Sequence, residues 1–399
     1  MLLPTEVKVT MCLSGKPTSL WLKLPKAMTT RVFFFQWAFA ATAATIVSGS
    51  VAERCKISAY FVYSFVITAF IYPVVVHWVW DGDGWLAQDT LVGPNGLKDF
   101  AGSGVVHMVG GFSGLMGAIA CGPRLGTFTP ATDRHGRTLA PREHNQLIAT
   151  LGVIILWVGW YGFNCGSTLE IAGGSSALAA KVAVTTTLSA ASGMIVCMLV
   201  AKLTGHKQFS LLKSLNGVLA GLVAITAGCN AVEPWAAIVI GVIGGLVYIF
   251  SSRLLKCLKI DDPLDAAPIH GFCGFWGVLA VGIFGTDENI SQGANDAVAS
   301  GSQFVTQLIG GLVIASWTVI TSGVMFFAIK AIMGIRVPKE NEEVGMDASE
   351  HGGSAYTDVQ MTTVKKTPSD ESETSGKDKA VAATETTKNE NVTIHVDNQ

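Results

Sequence analysis

Charge is scarce in this sequence. Only 14% of its 399 residues are Asp, Glu, Lys or Arg, and they nearly cancel, leaving a formal net charge of -2. Without a basic face to neutralise phosphates, nucleic acid is excluded as an obvious partner. The eight cysteines stand singly, with no CxxC spacing, so neither a disulfide framework nor a zinc site is indicated. There is no phosphate-cradling glycine loop, no nucleophile elbow and no metal-ligand cluster; no cofactor, no metal and no enzymatic reaction are expected. Residues 1–31 have no continuous apolar region ahead of a small-residue cleavage site and make a poor signal peptide.

What fills the chain instead is apolar. Half of it is hydrophobic and the mean hydropathy is +0.45, too high for an ordinary soluble domain of this length. Runs long enough to cross a ~30 Å hydrocarbon core fall near 32–51, 58–80, 100–121, 147–166, 178–201, 215–232, 235–252, 264–284 and 304–332. The expected fold is therefore an all-α polytopic membrane bundle of about nine spans. Gly-rich segments such as GGFSGLMGAIACG suit helices that approach closely.

Lys and Arg set the orientation. Alternate connections hold Arg54 and Lys56, Arg124 to Arg142, Lys202 to Lys213, Arg253 to Lys259, and Lys330 to Lys339, which places them in the cytoplasm. The other connections carry only Lys98 and Lys181, and one contains a glycosylation sequon at Asn289. Three regions result: an atypical basic segment at 1–31, a transmembrane domain at 32–336, and a polar, largely disordered cytoplasmic tail at 337–399.

Two histidines interrupt the apolar runs at the same spacing. Asp99 precedes His107 by eight residues, Asp262 precedes His270 by eight, and glycines follow each histidine at +4 and +7. The offset between the segments is 163 residues. Because the two segments cross in opposite senses, they read as an inverted repeat of the kind transporters use. Eight residues at the helical rise carry each imidazole about 12 Å inward, so both approach the midplane. A single buried histidine is more often a packing residue; two at mirrored positions favour a pathway.

Aromatic residues crowd the outer halves of the spans, among them Phe39, Trp80, Trp160 and Phe163. They fit either an interfacial belt or faces that attract an ammonium-type cation. Ser167, one turn beyond Phe163, offers an acceptor on the same helix face.

The strings FQWAFAATAATIVSGSVAER, DFAGSGVVH, ILWVGWYGFNCGS, DDPLDAAPIHGFCG and GMDASEHGGSAY together resemble the ammonium transporters of the Amt/Mep type over about residues 33–357. The resemblance implies a homotrimer in the membrane lipid, each subunit with its own pore, carrying ammonium or ammonia and accepting methylammonium. It implies an outer binding site at Phe39, Trp80 and Ser167, a gate of stacked Phe39 and Phe163, and a conduit lined by His107 and His270. Asp99 takes the place of a structural aspartate, with Asp262 as its counterpart by spacing; Ser349 aligns with a regulatory threonine. The expected location is the plasma membrane. The family pattern has eleven spans, so the first two have no counterpart here. That difference admits an alternative, a non-conducting regulatory or ammonium-sensing subunit assembling with full-length transporters. A Rhesus-type gas channel is disfavoured by Trp80 and the tail motif.

Overall fold

The computed structural model describes residues 6–11, 18–23, 29–88, 95–141, 145–173, 175–204, 209–286, 290 and 301–353. Asn289 and the tail from residue 354 lie outside the described residues.

Among the described residues, eight helices are long and apolar enough to cross a membrane. They are α1 (Thr30–Val51), α2 (Ile57–Trp80), α3 (Ser103–Cys121), α4 (Gln146–Thr168), α5 (Ser175–Leu203), α7 (Pro234–Cys257), α8 (Ala267–Phe284) and α9 (Ser302–Ile332). Between α5 and α7 lies α6 (Leu211–Thr226), only 16 residues long. The span expected near 215–232 is thus shorter than a bilayer crossing. Its early stop has a cause in the backbone: the carbonyls of Thr226 and Ala227 accept the amides of Ala101 and Phe100, and the Ala227 amide goes to the Ser103 hydroxyl at 2.7 Å. A helix whose last groups are taken by a neighbouring segment, and which is buried along most of its length, has no need to match the hydrocarbon thickness.

The helical expectation holds, with two small additions. Strands β1 (Glu6–Met11) and β2 (Thr18–Lys23) pair antiparallel in the segment that reads as irregular, and β3 (Ala131–Thr132) pairs with β4 (Thr138–Leu139) in the connection after α3.

At one end of the bundle the basic connections converge. Arg54 is fully buried yet every arm of its guanidinium is occupied: Nε donates to Gly122 O, Nη1 to Ala52 O and Nη2 to Asp261 O, at 3.0, 3.0 and 2.7 Å. Such a charge is tolerable in a buried place only with partners on all sides. Beside it Arg124 spans Asp261 and Glu53. Burial alone would push the Asp261 carboxyl up, but its bonds from the Arg124 side chain and amide outweigh that and hold it below the usual carboxylate range.

The chain beyond α9 docks on this same end. Val337 donates its amide to Arg54 O, and α10 (Lys339–Val344) presents Glu342 to the Arg336 guanidinium and to the Leu125 amide. A further short helix, α11 (Met346–Glu350), carries Ser349. The described part of the expected tail, 337–353, thus holds two short helices. Hydrogen bonds to the backbone of two earlier connections, and the Arg336–Glu342 pair within the segment itself, supply what its apolar content does not.

Helices α3 and α8 approach most closely at Gly111, where a Cβ would run into the backbone of Gly271. Neither backbone segment can swing aside, so Gly111→Val is expected to destabilise the fold by about 1–3 kcal/mol or more. A lowered melting midpoint of the detergent-solubilised protein tests this. Gly152→Ala, where a Cβ meets open space, serves as the unaffected control.

Candidate functional site

The site begins with two helix starts. The first amides of a helix have no partner within it, and in a water-poor environment each must find one. Asp99, itself buried, accepts from Gly102 at 3.0 Å through Oδ1 and from Gly104 and Val105 at 2.8 and 2.9 Å through Oδ2. Gly102 makes the entry possible with φ of 103°, a left-handed conformation that side chains resist. Asp262 does the same at the start of α8, accepting the Ala267 amide at 2.7 Å.

Each capped start opens into a π-helical turn, Ser103–Met108 in α3 and Ala267–Phe272 in α8. His107 lies in the first and His270 in the second. Their Nδ1 atoms are 3.1 Å apart, a hydrogen bond in which one ring donates and the other accepts according to tautomer. The rings overlap with centroids at 5.1 Å and 20° between planes. His107 is 1% exposed, and its Nε2 is buried without a partner.

A row of rings leads to this pair. Trp80 meets Phe39 edge-on at 5.8 Å, and Phe39 stacks on Phe163 at 4.0 Å and 12°. Phe163 lies 5.4 Å from the His107 ring. Sequence spacing pairs only the two histidines; the fold brings all five residues into ring contact one after the next.

Trp80 is anchored from below, its Nε1–H donating to Asp99 O at 2.7 Å. Gly102 lies against the same indole, where a Cβ would come within 3.2 Å of the ring. Asp99 thus holds the start of α3 and the outermost ring together. Ser167 sits in the 3-10 turn Cys165–Thr168 and donates its hydroxyl proton to Phe163 O at 2.9 Å. That bond leaves the oxygen lone pairs free to accept; it turns the donor back on its own helix rather than towards Trp80.

Trp160 is the participant that sequence reasoning placed only in the general aromatic crowd. Its indole stacks on His107 at 4.9 Å and 11°, while Nε1–H is fixed by Thr226 Oγ1 at 2.9 Å. Three residues before Phe163 on one helix face, it had a positional signal but no visible partner. Ser349 lies far from the rings, at the docked tail, its Oγ bonded to Gly345 O at 2.9 Å. Asn289 falls outside the described residues.

A multi-pass helical membrane protein with two facing imidazoles at the end of a partly buried aromatic row is the class that fold and site define. The model of the Ammonium Transporter Family matches residues 15–356, and the chain belongs to that family. It is 42% identical over 345 residues to Ammonium transporter 1 member 2 of Arabidopsis thaliana, and 43% identical over 345 residues to Ammonium transporter 1 member 1 of Oryza sativa subsp. japonica. Both alignments cover 81% of this chain; it spans 66% of the first relative and 68% of the second. Among solved structures, a protein described as Sensor Amt Protein is similar at a TM-score of 0.73 and 34% identity, covering 82% of this chain and 78% of that one. Mep2 of Candida albicans is similar at 0.68 and 28%, covering 80% and 68%.

Asp262 carries a pH prediction. Burial pushes its carboxyl up to about 6, against the pull of the Ala267 amide, and its Oδ1 has no partner. The folded protein then keeps a proton that the unfolded chain releases near pH 4, so stability from this group is complete below pH 4 and is lost as pH rises through about 6. Asp262→Asn retains an acceptor for Ala267 but does not titrate. Melting midpoints at pH 4 and pH 7 should show the variant gaining up to about 3 kcal/mol on the wild type across that interval. A constant difference would mean that Asp262 stays charged.

Proposed function

We propose that the chain carries ammonium nitrogen across a membrane: ammonium is recruited at Phe39, Trp80 and Ser167, loses a proton, and crosses as ammonia past the Phe39–Phe163 gate and along His107 and His270. The observation that carries this reading is the unbroken run of rings from Trp80 to a histidine pair joined at 3.1 Å. The names of the relatives agree with it. An intact ammonium ion on an apolar path would leave its charge uncompensated, at a cost of several kcal/mol. A neutral molecule avoids that cost, and the histidine pair offers the released proton a route of its own. Potassium, having no proton to lose, is excluded by the same requirement.

Around this core the reading includes a homotrimer with one pore per subunit, a plasma-membrane location and a cytoplasmic tail. Ser349 is the regulatory position: a phosphate there adds roughly two negative charges beside the docked helices α10 and α11 and forces them to rearrange. A second reading, an ammonium-sensing subunit that does not conduct, is favoured by the likeness to a structure described as a sensor. Labelled methylammonium uptake by the chain expressed alone separates the two. Uptake supports conduction, whereas ammonium binding without uptake supports sensing.

Three variants test the residue roles, each read against surface expression. His107→Ala or His270→Ala is expected to abolish ammonium-evoked current, any remaining flux becoming electroneutral; wild-type current in both would reduce the histidines to packing residues. Trp80→Leu removes the largest ring face and should raise half-saturation about 2- to 30-fold, the worth of one cation–π contact. An unchanged half-saturation would leave Trp80 as an interfacial anchor.

A further inference from the structure

The segment that delivers Asp99 to its place has a clamp of its own. Residues 96–98 lie against the first turns of α9, where two glutamines spaced by one turn take hold of their backbone. Gln303 Nε2 donates to Gly96 O at 3.1 Å. Leu97 is buried, its side chain filling the notch that Gly310 leaves one turn further along. Gln307, itself fully buried, makes every hydrogen bond a glutamine side chain can make. Its Oε1 accepts the Lys98 amide at 2.8 Å and Gln303 Nε2 at 3.1 Å, while its Nε2 donates to Lys98 O and to Val278 O of α8, both at 2.8 Å.

The chemistry of the place selects this side chain. One backbone N–H and two carbonyls need partners away from water, which calls for an acceptor and two donors on a stem long enough to reach from α9. A carboxylate would turn a bare oxygen on the two carbonyls. An apolar side chain would orphan all three groups.

We propose that Gln307 is a positioning residue for the outer recruitment site: by fixing the Lys98–Asp99 peptide it sets where the Trp80 indole stands. The inference rests on the recruitment reading above. The next carbonyl along the chain, Asp99 O, takes the only N–H of that indole, and Gly102 lies against its ring. Both supports of the ring therefore belong to residues 99–102. Downstream, this segment is held by α6, through the amides of Phe100 and Ala101 on Ala227 O and Thr226 O. Upstream, it is held by Gln307. With one of the two anchors released, the Asp99 carbonyl can swing, and a ring that must meet a cation face-on loses its place. Gln307 touches neither the rings nor the passenger, so its effect on recruitment passes through Trp80.

Hydrogen exchange and a double-mutant cycle on the whole chain test this. Gln307→Met keeps the length of the stem and removes the amide. Exchange at residues 96–101 should quicken about 5- to 100-fold, the worth of the two bonds lost at Lys98. Half-saturation for methylammonium should rise by no more than the roughly 2- to 30-fold expected of Trp80→Leu. In Trp80→Leu/Gln307→Met the second change should add nothing, because the ring it acts through is already gone. A general loosening of the fold would multiply the two effects instead. If Gln307→Met does not reach the surface, Gln307→Glu, which keeps an acceptor for Lys98 and loses both donors, takes its place in the same cycle. Wild-type exchange at 96–101 would overturn the proposal, as would effects that multiply in the double variant. So would a wild-type half-saturation in Gln307→Met beside a raised one in Trp80→Leu. A Trp80→Leu variant without effect removes the recruitment reading instead, and the exchange rates then decide alone whether Gln307 holds the Asp99 peptide.

Discussion

Two buried carboxylates determine where everything else in the site can be. Asp99 and Asp262 take the orphan amides at the starts of α3 and α8, the groups that hydrocarbon would otherwise leave unsatisfied. With those amides held by side chains, each helix can begin below the surface of the bundle and open in a π turn. The histidines then sit at equal depth on opposed helices, and equal sequence spacing becomes a distance of 3.1 Å.

The same caps fix the aromatic row. Asp99 gives its carboxylate to α3 and its carbonyl to Trp80, so the outermost ring is tied to the start of the helix that bears His107. Trp160 restrains the imidazole from the side and is itself restrained by Thr226, next to the point where α6 stops. Among the described residues, no cation lies over the rings from Trp80 inward; those that meet a ring do so at Phe209 and Tyr248. On the proposed route, such an environment of rings and paired imidazole nitrogens favours a neutral passenger over a charged one.

At the opposite end of α3 the balance is reversed. There the helix closes on three cations, and the connections after α1 and α3, the segment before α8 and the docked tail share carboxylates and guanidiniums. The pairing is dense enough to bury an arginine completely. One helix thus runs from a carboxylate-capped start, past the histidine, to a cation-capped end.

Much of this was legible in residue order. The apolar runs, the alternation of basic connections, and the Asp-to-His spacing repeated at an offset of 163 are local or periodic properties, and they suffice for a helical membrane bundle with two mirrored histidines. Combined strings such as DFAGSGVVH and DDPLDAAPIHGFCG were enough to suggest the family. The tertiary structure alone decided which groups meet. The Asp99 caps, the π turns, the stacking of Trp160 on His107 and the stop of α6 at Thr226 depend on the backbone's actual path. Arg54 reaches a carbonyl 207 residues away and Arg124 a carboxylate 137 away. Nothing in a period of 3.6 residues encodes a partner at that separation. Residue order sets which atoms need a partner once buried, and only the packed fold determines which distant atoms supply it.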